Sequence, residues 1–137
     1  MQLSVHLCFP GTCEEAFRFY ERVLGGRITL LQTYGASPGG EHETGDWRGK
    51  ILHAVMKVAG GELLGADVRP GHYEKPAGFY VLVGAASLPE ARAMFAELAA
   101  GGSVKMSLQA TFWSPGYGVV VDRFGVPWEV NCEGTPA

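Results

Sequence analysis

The sequence predicts an α+β fold in which one strand, a helix and three further strands occur twice in succession. Two observations carry this expectation. First, EAFRFYERVLGG at residues 15–26 and EARAMFAELAAGG at residues 90–102 both space their apolar residues for a helix with one buried face. Both stop at Gly-Gly, the residue that accepts the left-handed conformation ending a helix. Glu15/Glu90, Ala16/Ala91, Tyr20/Phe95 and Val23/Leu98 match at a constant offset of 75, with a one-residue slip before each Gly-Gly. Second, the strand-type runs around the two helices come in the same order. The length of 137 residues sets the frame: it suits one domain with a sizeable core and is short for two independent ones.

Taken in order, SVHLCF is a half-buried strand in which Val5, Leu7 and Phe9 share one face and Ser4, His6 and Cys8 the other. The first helix follows, then RITLLQTY, ILHAVMKVA and GELLGAD as strands. In ILHAVMKV, His53 shares a face with Lys57 and opposes Leu52, Ala54, Met56 and Val58. The second half repeats the series with GFYVLVG, the second helix, SVKMSLQATFW, YGVVVD and VPWEVN. In VPWEVN, Val126, Trp128 and Val130 oppose Pro127, Glu129 and Asn131. Asp122 opens the turn DRFG, where an aspartate bonds nearby backbone N–H groups. Module 1 is expected over residues 1–70 and module 2 over 76–133, within a single domain. Each sheet has only one helix to cover it, so packing the modules together creates a shared concavity. The polar, glycine-rich GASPGGEHETGDWRGK at residues 35–50 is a lid, a partner-binding arm or a disordered excursion.

Composition excludes several classes. The hydrophobic fraction is 47%, and no apolar stretch approaches the roughly 18 residues a membrane span needs. The opening MQLSVHLCFPG lacks the basic flank and apolar core of a secretory signal, so a soluble cytoplasmic protein is expected. Cys8, Cys13 and Cys132 form an odd set without metal-type spacing, against a disulfide framework or structural zinc site. A formal charge of −3 without clustered Lys or Arg excludes the electrostatic footprint of a nucleic-acid binder.

The stretch GGSVKMSLQATFWSPGYGVVVDRFGVPWEVN at residues 101–131 resembles the C-terminal signature of the PhnB-like branch of the vicinal oxygen chelate superfamily, which includes glyoxalase I, ring-cleaving dioxygenases and bleomycin- and fosfomycin-resistance proteins. HLCFPGTCEEAFRFYERVLGG resembles the start of the same branch. The resemblance implies two βαβββ modules forming a cup-shaped mixed sheet with helices on the outer face, a small-molecule ligand and a homodimer. In metal-dependent members, His or Glu on the first and last strand of each module hold a divalent cation such as Mn, Ni, Zn or Fe. Carried onto this chain, those positions are His6, Leu64, Phe79 and Glu129, with His53 as a further donor on an unaccustomed strand.

Three functions follow as expectations. One is an enzyme of lyase, isomerase, transferase or dioxygenase type, in which His6 and Glu129, with His53, hold a metal that polarises an oxygen-bearing substrate. The second is a metal-free binding or sequestration protein, with Trp47, Trp113 and Tyr117 lining the ligand. The third is a dimeric interaction module with a filled cup. Catalytic residues are not assigned. A structural role for Glu129 pairs it with His6, Lys57 or water. Cys13 lies near a helix start, where the dipole lowers a thiol pKa, but packing is its expected role, as it is for Trp128. His42 and His72 are expected to be solvated. The label of ubiquinone-pathway methyltransferase attached to some PhnB-like sequences is discounted, because no Gly-rich strand-to-helix turn for a nucleotide-like cofactor occurs.

Overall fold

In the computed structural model, residues 1–134 are described. They form two compact units, Met1–Glu74 and a second from Lys75 onward. The first contains β1 (Val5–Phe9), α1 (Cys13–Leu24), β2 (Arg27–Thr33), β3 (Ile51–Val58) and β4 (Gly61–Asp67). The second contains β5 (Val81–Ala85), α2 (Leu88–Ala99), β6 (Ser103–Gln109), β7 (Tyr117–Val121) and β8 (Pro127–Cys132). The strand orders, β1-β4-β3-β2 and β5-β8-β7-β6, are the same. In both, the first and last strands of the unit pair parallel and the remaining pairs are antiparallel. No helix among the described residues is long and apolar enough to cross a membrane.

Each helix lies on one face of its own sheet, and apolar side chains fill the space between. In the first unit Leu7, Phe9, Phe17, Tyr20, Ala54, Met56 and Leu63 are buried, with the Phe9 and Phe17 rings edge to face at 6.3 Å. In the second, Phe95, Leu98, Val120, Trp128 and Val130 play the same part. A glycine makes room for the helix aromatic in both. A Cβ on Gly65 would come within 2.5 Å of the Phe17 ring, and one on Gly118 within 2.7 Å of the Phe95 ring.

The helix ends explain the repeat and its slip. At the end of α1, Gly25 takes a left-handed φ of 67°, immediately after Leu24. After α2, Ala100 is extended and Gly101 turns left-handed one residue later. The starts differ more. Ser87 caps α2 by accepting from Glu90 N–H at 3.2 Å, and the Glu90 carboxylate accepts from Ala86 N–H at 3.0 Å. Thr12 makes no side-chain cap on α1. That work falls to Asp67 at the far end of β4, which is 1% exposed and accepts from Gly11 N–H at 3.0 Å, Cys13 N–H at 2.9 Å and Ile51 N–H at 2.8 Å.

The second unit has its own buried carboxylate. Asp122, expected to serve the DRFG turn, accepts from Phe124 N–H and Val126 N–H, and in addition from Trp128 Nε1–H at 2.8 Å. The indole of a fully buried Trp128 is thereby satisfied.

Two expectations about strands are corrected. The run SVKMSLQATFW is a strand only to Gln109. Beyond it, Thr111 and Ser114 bond to each other's backbone, and the buried Ser114 hydroxyl donates to Gly116 O and Cys132 O. Local side-chain bonding of this kind displaces the ladder, which an apolar TFW does not reveal. GFYVLVG enters the sheet only at Val81, so Phe79 and Tyr80 precede β5.

Residues 35–50 fold back onto their own unit through 3-10 turns at Gly40–His42 and Gly45–Gly49. The Arg48 guanidinium donates to the carbonyls of Gly40, Glu43 and Gly35. Trp47 lies 5.9 Å from the Tyr34 ring and carries the Arg69 guanidinium 4.4 Å above it.

Candidate functional site

Strand alternation leaves each sheet a second face, which its helix does not cover. In the first unit this face carries His6, Cys8, His53, Val55, Lys57, Glu62 and Leu64. The register sets His6 opposite Leu64, Leu64 opposite Val55 and Lys57 opposite Glu62. The His6 and His53 rings stack 6.5 Å apart at 11°, and Cys8 Sγ lies 3.8 Å from His6 Nδ1. Partial burial, reinforced by the neighbouring His53, lowers the His6 pKa below the ordinary imidazole value, so His6 is a neutral imidazole at neutral pH. Lys57, a candidate partner for Glu129 on sequence grounds, is ion-paired with Glu62. Glu62 also accepts from Ser4 Oγ at 2.8 Å, and the Lys57 hydrogen bond holds its carboxyl below the usual range.

In the second unit the open face carries Leu82, Tyr117, Val119, Glu129 and Asn131. Leu82 and Val119 flank Glu129 on the two neighbouring strands, and Tyr117 is opposite Asn131. Glu129 Oε2 accepts a short hydrogen bond from the Tyr117 hydroxyl, the diagonal contact open to long side chains across an antiparallel pair. That bond is the main reason the Tyr117 pKa is pushed up to about 12, burial adding to it. Trp113 meets the Tyr117 ring edge on at 5.3 Å, and Phe112 meets Trp113 at 4.9 Å. These rings and Leu82 remain substantially in solvent, at 90% for Phe112, 48% for Trp113 and 63% for Leu82. The Asn131 Oδ1 atom is buried and has no hydrogen-bond partner.

Several sequence expectations meet their outcome in these faces. His6 and His53 share one face, Glu129 stands on the open face of its own sheet, and Trp113 and Tyr117 touch each other. Trp47 is held in the loop of the first unit by Tyr34 and Arg69. His42 and His72 are exposed. Cys13 is fully buried, and its thiol pKa is raised, first by burial and then by the Asp67 carboxylate. Cys13 thus packs in the core as expected, and burial outweighs any lowering of its pKa by the helix dipole. Tyr117 as partner of Glu129, the orphaned Asn131 oxygen and the threefold role of Asp67 went unforeseen. For Tyr117 and Asn131 a signal existed in the alternation of YGVVV against PWEVN; for Asp67 there was none nearby in sequence.

The register also corrects the carry-over of ligand positions. His6 is the second residue of β1 and faces Leu64; the second residue of β5 is Leu82, and it faces Glu129. Leu82, not Phe79, is therefore the counterpart of His6. Each sheet supplies one donor and one leucine at these positions, and Glu129 already holds a phenol hydroxyl. Among the described residues no group of three or more His, Cys, Asp or Glu is gathered where it could hold a metal ion. The side chains present do not fit the three- or four-ligand divalent centre that the resemblance implies.

Comparison with known proteins agrees with this architecture. Residues 5–130 match the family model of the Glyoxalase/Bleomycin resistance protein/Dioxygenase superfamily. Protein YjdN of Escherichia coli (strain K12) is 32% identical over 139 residues, spanning 96% of this chain and 95% of that protein. The crystal structure of PA1353 from Pseudomonas aeruginosa is 41% identical and superposes with a TM-score of 0.88, covering 97% of this chain and 98% of that one. A Bacillus cereus structure described as a putative 3-demethylubiquinone-9 3-methyltransferase, PhnB protein, is 26% identical with a TM-score of 0.81, covering 97% and 100%. Twin four-stranded sheets of one order, each closed by a parallel pair and backed by one helix, together with a match spanning residues 5–130, establish that the chain belongs to the Glyoxalase/Bleomycin resistance protein/Dioxygenase superfamily.

Proposed function

We propose that this family member binds a small organic molecule without requiring a metal, and that the open face of its second sheet is the recognition surface. One observation carries the reading: Glu129 bonds the Tyr117 hydroxyl beside an exposed Trp113 and Leu82. Rigid aromatics with a single oriented polar group are the usual makeup of a small-molecule site. The methyltransferase named for the Bacillus cereus neighbour is a poor guide for this chain. Its strand-to-helix connections are Pro10–Gly11–Thr12 and Ala86–Ser87, and neither offers the glycine-rich phosphate cradle of a nucleotide-like cofactor. Superfamily members commonly form dimers, and a homodimer is proposed here, to be measured by sedimentation.

The test is a thermal-shift screen of planar aromatic compounds of either charge, in excess chelator, on the parent and on Trp113→Ala. Saturable stabilisation that the substitution weakens by at least about fivefold supports the reading. Failure of every compound, or binding that disappears with the chelator, overturns it.

A second reading keeps a divalent ion on the open face of the first sheet, held by His6 and His53. The observation favouring it is the stacked imidazole pair, one member of which is neutral at neutral pH. Calorimetric titration of stripped protein with Mn²⁺, Ni²⁺ and Zn²⁺ separates the two readings. Saturable binding weakened at least about tenfold by His6→Gln and by His53→Gln belongs to the second; no saturable binding belongs to the first.

A further inference from the structure

The open face of β8 continues beyond Glu129 in one chemical vein. Asn131 follows on the same face, about 7 Å along the strand, and Glu133 stands next in the alternation. Across β5 the neighbour of Asn131 is Gly84, and the space a Cβ would fill there is taken by Glu133 Oε1, 2.5 Å from that position. The row Glu129, Asn131, Glu133 thus presents two carboxylates and an amide oxygen. Among the described residues no cationic side chain pairs with Glu129, whose hydrogen-bond partner is the neutral Tyr117 hydroxyl.

Asn131 supplies an independent indication. Its Oδ1 is buried and without a donor, a condition that buried side-chain oxygens rarely tolerate. The groups opposite offer it nothing: Gly84 has no side chain, and the Tyr117 hydroxyl is committed to Glu129. The Asn131 side chain as a whole is only half-buried, so a turn of its amide would bring this oxygen to an incoming N–H group beside the Tyr117 ring, whose own neighbour is Trp113 at 5.3 Å. What the row lacks is positive charge, and what its amide oxygen lacks is a donor.

We propose that the open face of the second sheet is a site for a protonated aromatic amine or amidine, whose ring packs against Trp113 and Tyr117 while its N–H groups are shared between Glu129 and Asn131. The inference rests on the reading that this face binds small molecules, and narrows it to one chemical class. A carboxylate acceptor favours a charged donor over a neutral one of the same shape. A fixed pair of acceptors two residues apart on a strand favours a fork of N–H groups over a single one.

The test uses three probes with one ring system and different heads: 2-naphthamidine, 2-naphthamide and 2-naphthoate. Binding to the full chain is followed by tryptophan fluorescence and by backbone NMR shifts in excess chelator. The amidine is expected to bind at least about tenfold tighter than the amide, and the naphthoate weakest. Glu129→Gln and Asn131→Leu should each remove about tenfold of the amidine affinity while leaving the amide within about twofold. Asn131→Leu also eliminates an unsatisfied oxygen, so its melting temperature should be no lower than the parent's, which separates ligand recognition from a structural role. Equal binding of all three probes overturns the amine class and leaves the binding surface standing. Binding of none overturns both. Amidine binding that is unchanged in both variants moves the site elsewhere and overturns the assignment.

Discussion

Replacing Asp67 with Asn should destabilise the chain by about 3 kcal/mol, although it changes one heavy atom for another of similar size. One carboxylate oxygen accepts from Gly11 and Cys13 N–H, and the other accepts from Ile51 N–H. An asparagine keeps an oxygen for the first pair and turns an NH2 group toward the third. Ile51 is 1% exposed, so its N–H loses its acceptor without gaining water, which costs about 1–3 kcal/mol. The two remaining bonds lose their ionic character, at about 0.5 kcal/mol each. Urea unfolding followed together by tryptophan fluorescence and far-ultraviolet dichroism reads the sum. With an m-value of about 2 kcal/mol per molar, the midpoint should fall by about 1.5 M. Glu14→Gln is the control: its carboxylate meets Arg18 at an exposed surface, where such pairs contribute about 0–1 kcal/mol. A midpoint change for Asp67→Asn under about 0.5 M, or no larger than the control's, would show that Asp67 does not tie α1 to the sheet.

Further outcomes follow from the titrating groups and the cysteines. The Tyr117 phenol, pushed up to about 12 against an ordinary 10.0, loses its proton later in the folded chain than in the unfolded one; stability therefore declines as pH rises from the unfolded value through the folded one. Glu129→Gln should bring the tyrosinate absorbance transition of this residue back toward the ordinary value and reduce that alkaline loss; an unmoved transition refutes the bond as its cause. His6 has the opposite sign of linkage: its pKa lies below 6.5 in the folded chain, so the unfolded chain takes up the proton first and stability falls as pH drops through that value. The difference in unfolding free energy between the parent and His6→Gln should accordingly change between about pH 7.5 and about pH 5, and a flat difference contradicts it. Of the three cysteines, Cys8 is exposed while Cys13 and Cys132 are buried, so peptide mapping after brief alkylation should find Cys8 labelled alone, with the other two reacting only after denaturation.

The fold was legible because its signals are local. The alternation in SVHLCF and VPWEVN assigns His6 and Cys8 against Leu7 and Phe9, and Glu129 against Trp128 and Val130, and the sheets keep these assignments. Where alternation fails, so does the reading. GFYVLVG is apolar or glycine throughout, so nothing marks where β5 begins, and the counterpart of His6 was displaced from Leu82 to Phe79. TFW was read as strand because the hydroxyls that divert it, on Thr111 and Ser114, bond only once the turn exists. Asp67 is the hardest case. It closes a strand as an ordinary polar residue, and its partners are 56, 54 and 16 residues away; no periodicity encodes a contact at that separation.

The ring-over-glycine fit at Gly65 and Gly118 divides each sheet into sides of unequal freedom. On the side under the helix, one added methyl group collides with an aromatic ring, and overpacking of this kind typically costs about 1–3 kcal/mol. On the other side, Leu82 is 63% exposed, and exchanging it for a residue that binds metal, proton or ligand disturbs no contact of that tight layer. Inventing a new chemistry on this scaffold therefore asks little of its stability: the architecture is locked from behind while its front remains open to trial.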